Sequence, residues 1–266
     1  MSDVLPRTGI IGGSGMLGGA IARALLRAKA LKPQDLWISN RSGSNKGFED
    51  WPEINVTTNN QDVADACEIV LLCIPPSQVD HMNLKAPDRL VLSVMAGVKA
   101  REITEITGAT RVVRAMSNPA AEDGLAYSPW YARADLSKSD YNNVVRFFSA
   151  CGETDQVPHE HLIDSFTALT GPVPGFVAYF ADCMVAYAVE KGTPPEIAER
   201  AVRQLFLASG QTMAQSKVAP ARHVQDMIEY AGTTAAGLLS MGSSEICDSI
   251  WQGLDAAGAA AGRMRK

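Results

Sequence analysis

Cysteine and histidine are both scarce, at five and four in 266 residues. Cys67, Cys73, Cys151, Cys183 and Cys247 are widely spaced, lie mostly in apolar segments and form no C-x-x-C pair. That excludes a disulfide framework and reads as small core residues of a reducing compartment. His159 and His161 make an H-x-H after Pro158, but no third ligand follows nearby, so they read as polar turn residues and no metal is expected. Basic residues are not in excess either. Lys and Arg total 24 against 29 Asp and Glu, a net charge of -5, which excludes the basic stripe of a nucleic-acid binder. No apolar run reaches the roughly 18 residues of a membrane span, and no signal-peptide pattern opens the sequence. The expectation is a cytoplasmic protein with neither membrane nor nucleic acid as partner. What is present is an ordinary globular mixture, 46% hydrophobic and 20% charged, with length for two domains.

The densest information lies in residues 9 to 21, GIIGGSGMLGGAI. An apolar strand runs into a glycine-rich turn and an amphipathic helix. Gly13, Gly15 and Gly18 fit G-x-G-x-x-G, the turn that brings backbone N–H groups to a pyrophosphate at a helix N-terminus. Side chains at Gly13 or Gly15 would hold phosphates off, and one at Gly18 would push the helix from the strand. Ser14, Met16 and Leu17 complete the turn as coenzyme neighbours.

From Gly9 to Tyr131 strand and helix signals alternate. Apolar runs at 9–11, 36–39, 70–74, 90–95 and 112–116 read as buried parallel strands, 125–131 as a late strand and 17–30 as a helix. Repeated βα units specify a doubly wound, Rossmann-type α/β sheet. Pro75-Pro76 predicts that no helix follows the strand at 70–74, and some crossovers should shrink to loops. After Ser137 the strand signal stops. Segments 140–150, 160–169, 175–191, 195–215, 221–228, 233–241 and 245–261 read as helices, and Gly171-Pro172-Val173-Pro174-Gly175 breaks the second from the third. The basic end, Arg263 to Lys266, complements a helix C-terminus. The expected division is a Rossmann domain at 1–136 and an all-α domain at 137–266. Residues 175–189 are apolar almost all round, and for a helical half of this size a second subunit is the natural cover, with a central helix inside one monomer as the alternative.

The end of the second strand, Ile38-Ser39-Asn40-Arg41-Ser42, stands about twenty residues beyond the glycines, where an Asp or Glu would accept from the ribose 2′-hydroxyl of NAD. Asn40 replaces that carboxylate, and Arg41 with Ser42 suits a 2′-phosphate through charge-assisted hydrogen bonds. The expected coenzyme is therefore NADP/NADPH. Ile74 and Pro75, Ala96 and Gly97, and Asn118 close later strands on the same edge, bordering the nicotinamide ribose, the ring and its carboxamide or the substrate. In the helical half, Gly232-Thr233-Thr234 at a helix start offers free N–H groups and hydroxyls to a carboxylate or an imine nitrogen. A plain N-cap by Thr233 would look the same. Asp226, Glu229 and Tyr230 precede it as proton sources that spacing does not rank.

Taken together, GIIGGSGMLGGAI, SNR at 39 to 41, LLCIPPSQV, VLSVMAGV, TRVVRAMSNPA, FTALTGPVPGFV and AGTTAAGL resemble the pyrroline-5-carboxylate reductases nearly from end to end. The resemblance implies NADPH-dependent reduction of a cyclic imine, the last step of proline synthesis. It also implies a helical C-terminal domain that makes a homodimer or a higher oligomer. By position, Thr233 and Thr234 become the substrate-facing hydroxyls, with Tyr230 as a further proton-donor candidate, and Ala96 and Asn118 become ring and substrate neighbours. The sequence departs from the family pattern at Gly12-Gly13-Ser14-Gly15, at Thr170 to Pro174 and at Glu229-Tyr230. These departures leave open the alternative of a non-catalytic NADP-binding regulator or scaffold.

Overall fold

The computed structural model describes residues 4–171 and 175–263. They form two compact units, one holding the described residues up to 171 with 256–263, the other spanning 175–255.

In the first unit β1 (Thr8–Ile11) leads to α1 (Met16–Arg27) and β2 (Leu36–Ser39). Next come β3 (Asn55–Thr57), α2 (Asn60–Ala66), β4 (Ile69–Leu72), β5 (Leu90–Ser93), α3 (Ala100–Thr107) and β6 (Arg111–Ala115). The order is completed by β7 (Ala126–Tyr127), β8 (Trp130–Ala132), α4 (Lys138–Ser149), β9 (Gly152–Glu153) and α5 (His161–Leu169). Seven strands make one sheet in the order β3-β2-β1-β4-β5-β6-β8, parallel except for β8. The order reverses at β1, the topological switch point of a doubly wound sheet.

Period-two alternation sorts the strand residues onto the two faces. Ile10, Leu71, Leu92 and Val113 pack on one side with Ile21 and Leu25 of α1 and Phe147 and Phe148 of α4. Ile11, Val70, Leu72, Val91 and Val112 pack on the other with Val63 of α2 and Ile103 of α3. Because both faces are covered, these strands are apolar throughout, which is why they are legible as runs.

Several expectations need correction. The unit boundary falls well beyond residue 136, because α4 and α5 are bound to the sheet. Ser137 caps α4 by accepting from the Asp140 N–H at 3.0 Å, and buried Asp140 pairs with Arg111 at the start of β6 at 2.9 Å. The late strand at 125–131 is two short strands, and β9 lies after Ser137, pairing with β7. The Pro75-Pro76 pair does not forbid a helix. A 3-10 turn runs Pro76–His81, since proline at a first helical position gives up an N–H that has no partner there anyway.

Charge holds α5. Arg114 of β6 is fully buried, with Nη2 2.5 Å from Asp164 and Nη1 3.5 Å from Glu160, while Asp164 also pairs with Lys99. Glu160 accepts from the Ala100 N–H at 2.7 Å, at the positive end of α3.

The second unit holds α6 (Gly175–Glu190), α7 (Pro195–Gln215), α8 (Pro220–Tyr230), α9 (Thr233–Gly242) and most of α10 (Ile246–Arg263). Its helices match the periodicity closely. Residues 172–174 of the expected break lie outside the described residues, as do 264–266. Arg263 does close the last turn of α10. No helix is long and apolar enough to cross a membrane among the described residues.

Candidate coenzyme and substrate sites

A cavity of about 720 Å³ opens at the carboxyl ends of β1, β2 and β4, beside the switch point. Ser14 and Gly15 of the turn line it, with Asn40, Arg41 and Ser42 after β2 and Ile74 and Pro75 after β4. Sequence reasoning therefore brought seven of its site residues to one place. Thr58, Asn60, Gln78, His81 and Met82 line it too, and were missed.

The glycine turn works somewhat differently from its motif. Gly12 takes the left-handed φ of +83°, and a Cβ there would meet the Cys73 carbonyl oxygen at 2.2 Å. That crossing of β1 over the end of β4 admits only glycine. Gly18 behaves as expected: a Cβ would lie 2.4 Å from the Gly12 carbonyl oxygen, so α1 could not approach the strand. Gly13 instead lies buried with its Cα against Ile38, where a Cβ would sit 2.6 Å from that side chain, so it serves packing and not phosphate approach. Gly15 is exposed and meets only the Gly12 oxygen, at 3.2 Å. It is the N-cap of α1 and supplies no side-chain cap, leaving the helix start to an anion. Met16 is 80% exposed and does not line the cavity, nor does half-buried Leu17.

Among the described residues Arg41 has no ion-pair or hydrogen-bond partner, and it is exposed on the cavity wall. Its charge is available to a ligand. Beside it no carboxylate stands where an NAD ribose would require one. An unopposed guanidinium, an uncapped helix start and a cavity between them fit a dinucleotide bearing a further phosphate.

Three expected ring neighbours lie off this cavity. Half-buried Ala96 packs against the Met116, Val157 and Ile163 cluster. Gly97 takes a φ of +73° in the turn after β5. Asn118 is buried, and its amide is engaged: Oδ1 accepts from the Ala120 N–H at 2.9 Å and Nδ2 donates to the Thr170 carbonyl at 2.9 Å. It caps the 3-10 turn Pro119–Asp123.

In the second unit Thr233 is not the cap. Gly232, at φ +95°, is the N-cap of α9 without a side-chain bond, so Thr233 and Thr234 are the first two helical residues. Ala231 is held at φ +65°, a conformation that carries strain for a residue with a Cβ. Tyr230 is 86% exposed at the end of α8. The Glu229 carboxylate is drawn back along α8, accepting from Gln225 at 3.0 Å and lying 3.6 Å from Arg222, which also holds Asp226 at 2.7 Å. The helix start is thereby relieved of a competing negative charge.

A family model described as pyrroline-5-carboxylate reductase dimerisation matches residues 160–264. A second, described as NADP oxidoreductase, coenzyme F420-dependent, matches residues 7–97. A pyrroline-5-carboxylate reductase of Synechocystis is 27% identical over 235 residues, covering 86% of this chain and 87% of its own. Pyrroline-5-carboxylate reductase 2 of Bacillus subtilis is 24% identical over 245 residues, covering 90% and 88%. Among solved structures, a pyrroline-5-carboxylate reductase from Coxiella burnetii superposes with a TM-score of 0.84 at 21% identity, covering 98% of this chain and 99% of its own. The Plasmodium falciparum enzyme with NADP bound gives 0.80 at 20%, covering 100% of both. With the helical half matched by the dimerisation model and relatives of that name spanning both halves, the chain is similar to the pyrroline-5-carboxylate reductases over most of its length.

Proposed function

We propose that the protein is an NADPH-dependent reductase of a cyclic imine, with pyrroline-5-carboxylate as its first substrate to test. The observation that carries the coenzyme half is Arg41, an unpartnered cation on the cavity wall at the end of β2. It supports a 2′-phosphate there, and the uncapped start of α1 supports the pyrophosphate. Similarity to pyrroline-5-carboxylate reductases over most of the chain and most of their length supports the imine.

The coenzyme, when bound, supplies the hydride. The chain's own residues bind and orient. Arg41 grips the phosphate-bearing ribose, and the backbone N–H groups at the uncapped start of α1 receive the pyrophosphate. Thr233 and Thr234 offer N–H and hydroxyl donors to the carboxylate and imine nitrogen of the substrate, with Tyr230 as candidate proton donor. The dimerisation match and the exposed apolar face of α6 support a homodimer through the C-terminal helices.

Following NADPH absorbance with pyrroline-5-carboxylate, pyrroline-2-carboxylate and piperideine carboxylates tests this. Turnover on one of them is expected. NADPH binding with no oxidation across the set would overturn the enzymatic reading.

A further inference from the structure

Asn40 occupies the position where a Rossmann sheet presents a side chain to the adenosine ribose, and its amide has nothing left to offer a ligand. One Nδ2 hydrogen goes to Ser14 Oγ at 2.7 Å and the other to the Ser44 carbonyl at 2.8 Å. Oδ1 accepts twice from Ser42, from its N–H at 3.1 Å and its hydroxyl at 3.2 Å. A primary amide has two donors and two acceptor sites, so all four are engaged. The backbone is held as well: the Asn40 N–H donates to the Thr57 carbonyl at 3.1 Å.

These bonds join two separate pieces of the cavity wall. Ser14 belongs to the glycine turn that meets the pyrophosphate. Ser42 and Ser44 belong to the loop carrying Arg41, and they continue the chain of bonds through Ser44 N–H to Ser42 Oγ at 3.3 Å and Lys46 N–H to Ser44 Oγ at 3.1 Å. We propose that Asn40 is a positioning residue, a latch that ties the phosphate-gripping loop to the glycine turn and sets the selectivity for NADPH without touching the coenzyme. The inference rests on the NADPH reading above and refines it. The residue that would read the 2′-hydroxyl in an NAD enzyme is here turned inward, so a loop otherwise free to move is organised before the coenzyme arrives. Pre-organisation lowers the ordering cost of binding.

Wild type, Asn40→Ala, Ser14→Ala and the double variant are titrated with NADPH and with adenosine 2′,5′-bisphosphate, which carries the phosphate-bearing ribose without the nicotinamide. Asn40→Ala is expected to weaken both ligands about tenfold and Ser14→Ala by less. The double variant should bind no more weakly than Asn40→Ala, because both changes remove the same bond. In steady state the preference for NADPH over NADH should fall about tenfold through KM, a split that general destabilisation does not produce. Asn40→Asp, similar in size but without donors, should not turn the protein toward NADH. Additive losses in the double variant, an Asn40→Ala within twofold of wild type, or an Asn40→Asp that prefers NADH would each overturn the latch. A wild type that binds neither ligand overturns the coenzyme reading itself, whereas tight binding by wild type and Asn40→Ala alike overturns only the latch.

Discussion

At the scale of single residues, Arg41 is the sharpest commitment. A guanidinium on a phosphate contributes about 1.5–3 kcal/mol, roughly ten- to hundredfold in affinity. Arg41→Ala is therefore expected to raise the KM for NADPH at least tenfold with a smaller change in kcat, and to leave NADH kinetics within about twofold. Initial rates with both coenzymes measure it, and equal losses with the two would remove the 2′-phosphate from this position. Arg41 and Ser42 were legible because a polar tail ends an otherwise apolar strand about twenty residues past a glycine turn. The individual glycines were less so. Gly12 carries the left-handed turn and Gly13 the packing on Ile38, an exchange of roles that depends on which carbonyl and side chain lie opposite, and spacing holds no record of that. Asn118 was placed correctly at a strand end, but its amide is committed to a cap and to Thr170, which no local pattern announces.

At the scale of elements, helices and buried strands were readable and half-exposed pieces were not. β3 has all three residues partly exposed, so neither an apolar run nor clean alternation marks it, and Thr58 and Asn60 on the cavity went unseen with it. A signal did exist in Asn59, the N-cap of α2, which accepts from the Gln61 N–H at 3.1 Å and donates to Asp62 at 2.8 Å. The attachment of α5 was equally hidden, because it depends on ion pairs between distant segments. Burial alone would raise the pKa of Asp164, but hydrogen bonds from Lys99 and Arg114, with their charges, outweigh it and leave the carboxyl below its ordinary 3.8. A depressed carboxylate contributes stability that is full above its unfolded pKa and is lost as pH falls through the lower folded value. Removing its charge also leaves Arg114 buried with a weaker partner, since Nε and Nη1 of that guanidinium have no hydrogen bond among the described residues. Asp164→Asn is expected to destabilise the protein by about 2–4 kcal/mol at pH 7. The gap between variant and wild type in urea midpoint should close as the pH is taken below 3.8, where the wild-type carboxyl protonates too. A gap that persists in acid would place the cost in packing and not in charge.

At the scale of the whole molecule, the second unit raises a question that its own helices do not answer. None of the 16 residues of α6 is buried within the chain, although Phe176, Val177, Tyr179, Phe180 and Tyr187 lie along it. Exposed apolar side chains also stand on α7 at Leu205 and Leu207 and on α9 at Leu239. Exposed apolar surface on that scale marks an interaction face. The dimerisation match over 160–264 makes a second copy of the chain the natural cover. Tyr179 is 73% exposed, which makes Tyr179→Glu a discriminating change. In a monomer it alters a surface position and should shift stability by no more than about 0.5 kcal/mol. In a dimer that closes over α6 it would place an unpaired carboxylate in an apolar interface, at a cost of several kcal/mol. Sedimentation should give twice the chain mass or a multiple for wild type and a mass shifted toward the single chain, or aggregation, for the variant. The wild-type unfolding temperature should also rise with protein concentration, because association adds to apparent stability by mass action. A wild type that sediments as a single chain, with an unfolding temperature independent of concentration, would show that α6 is left uncovered and that the apolar face has another use.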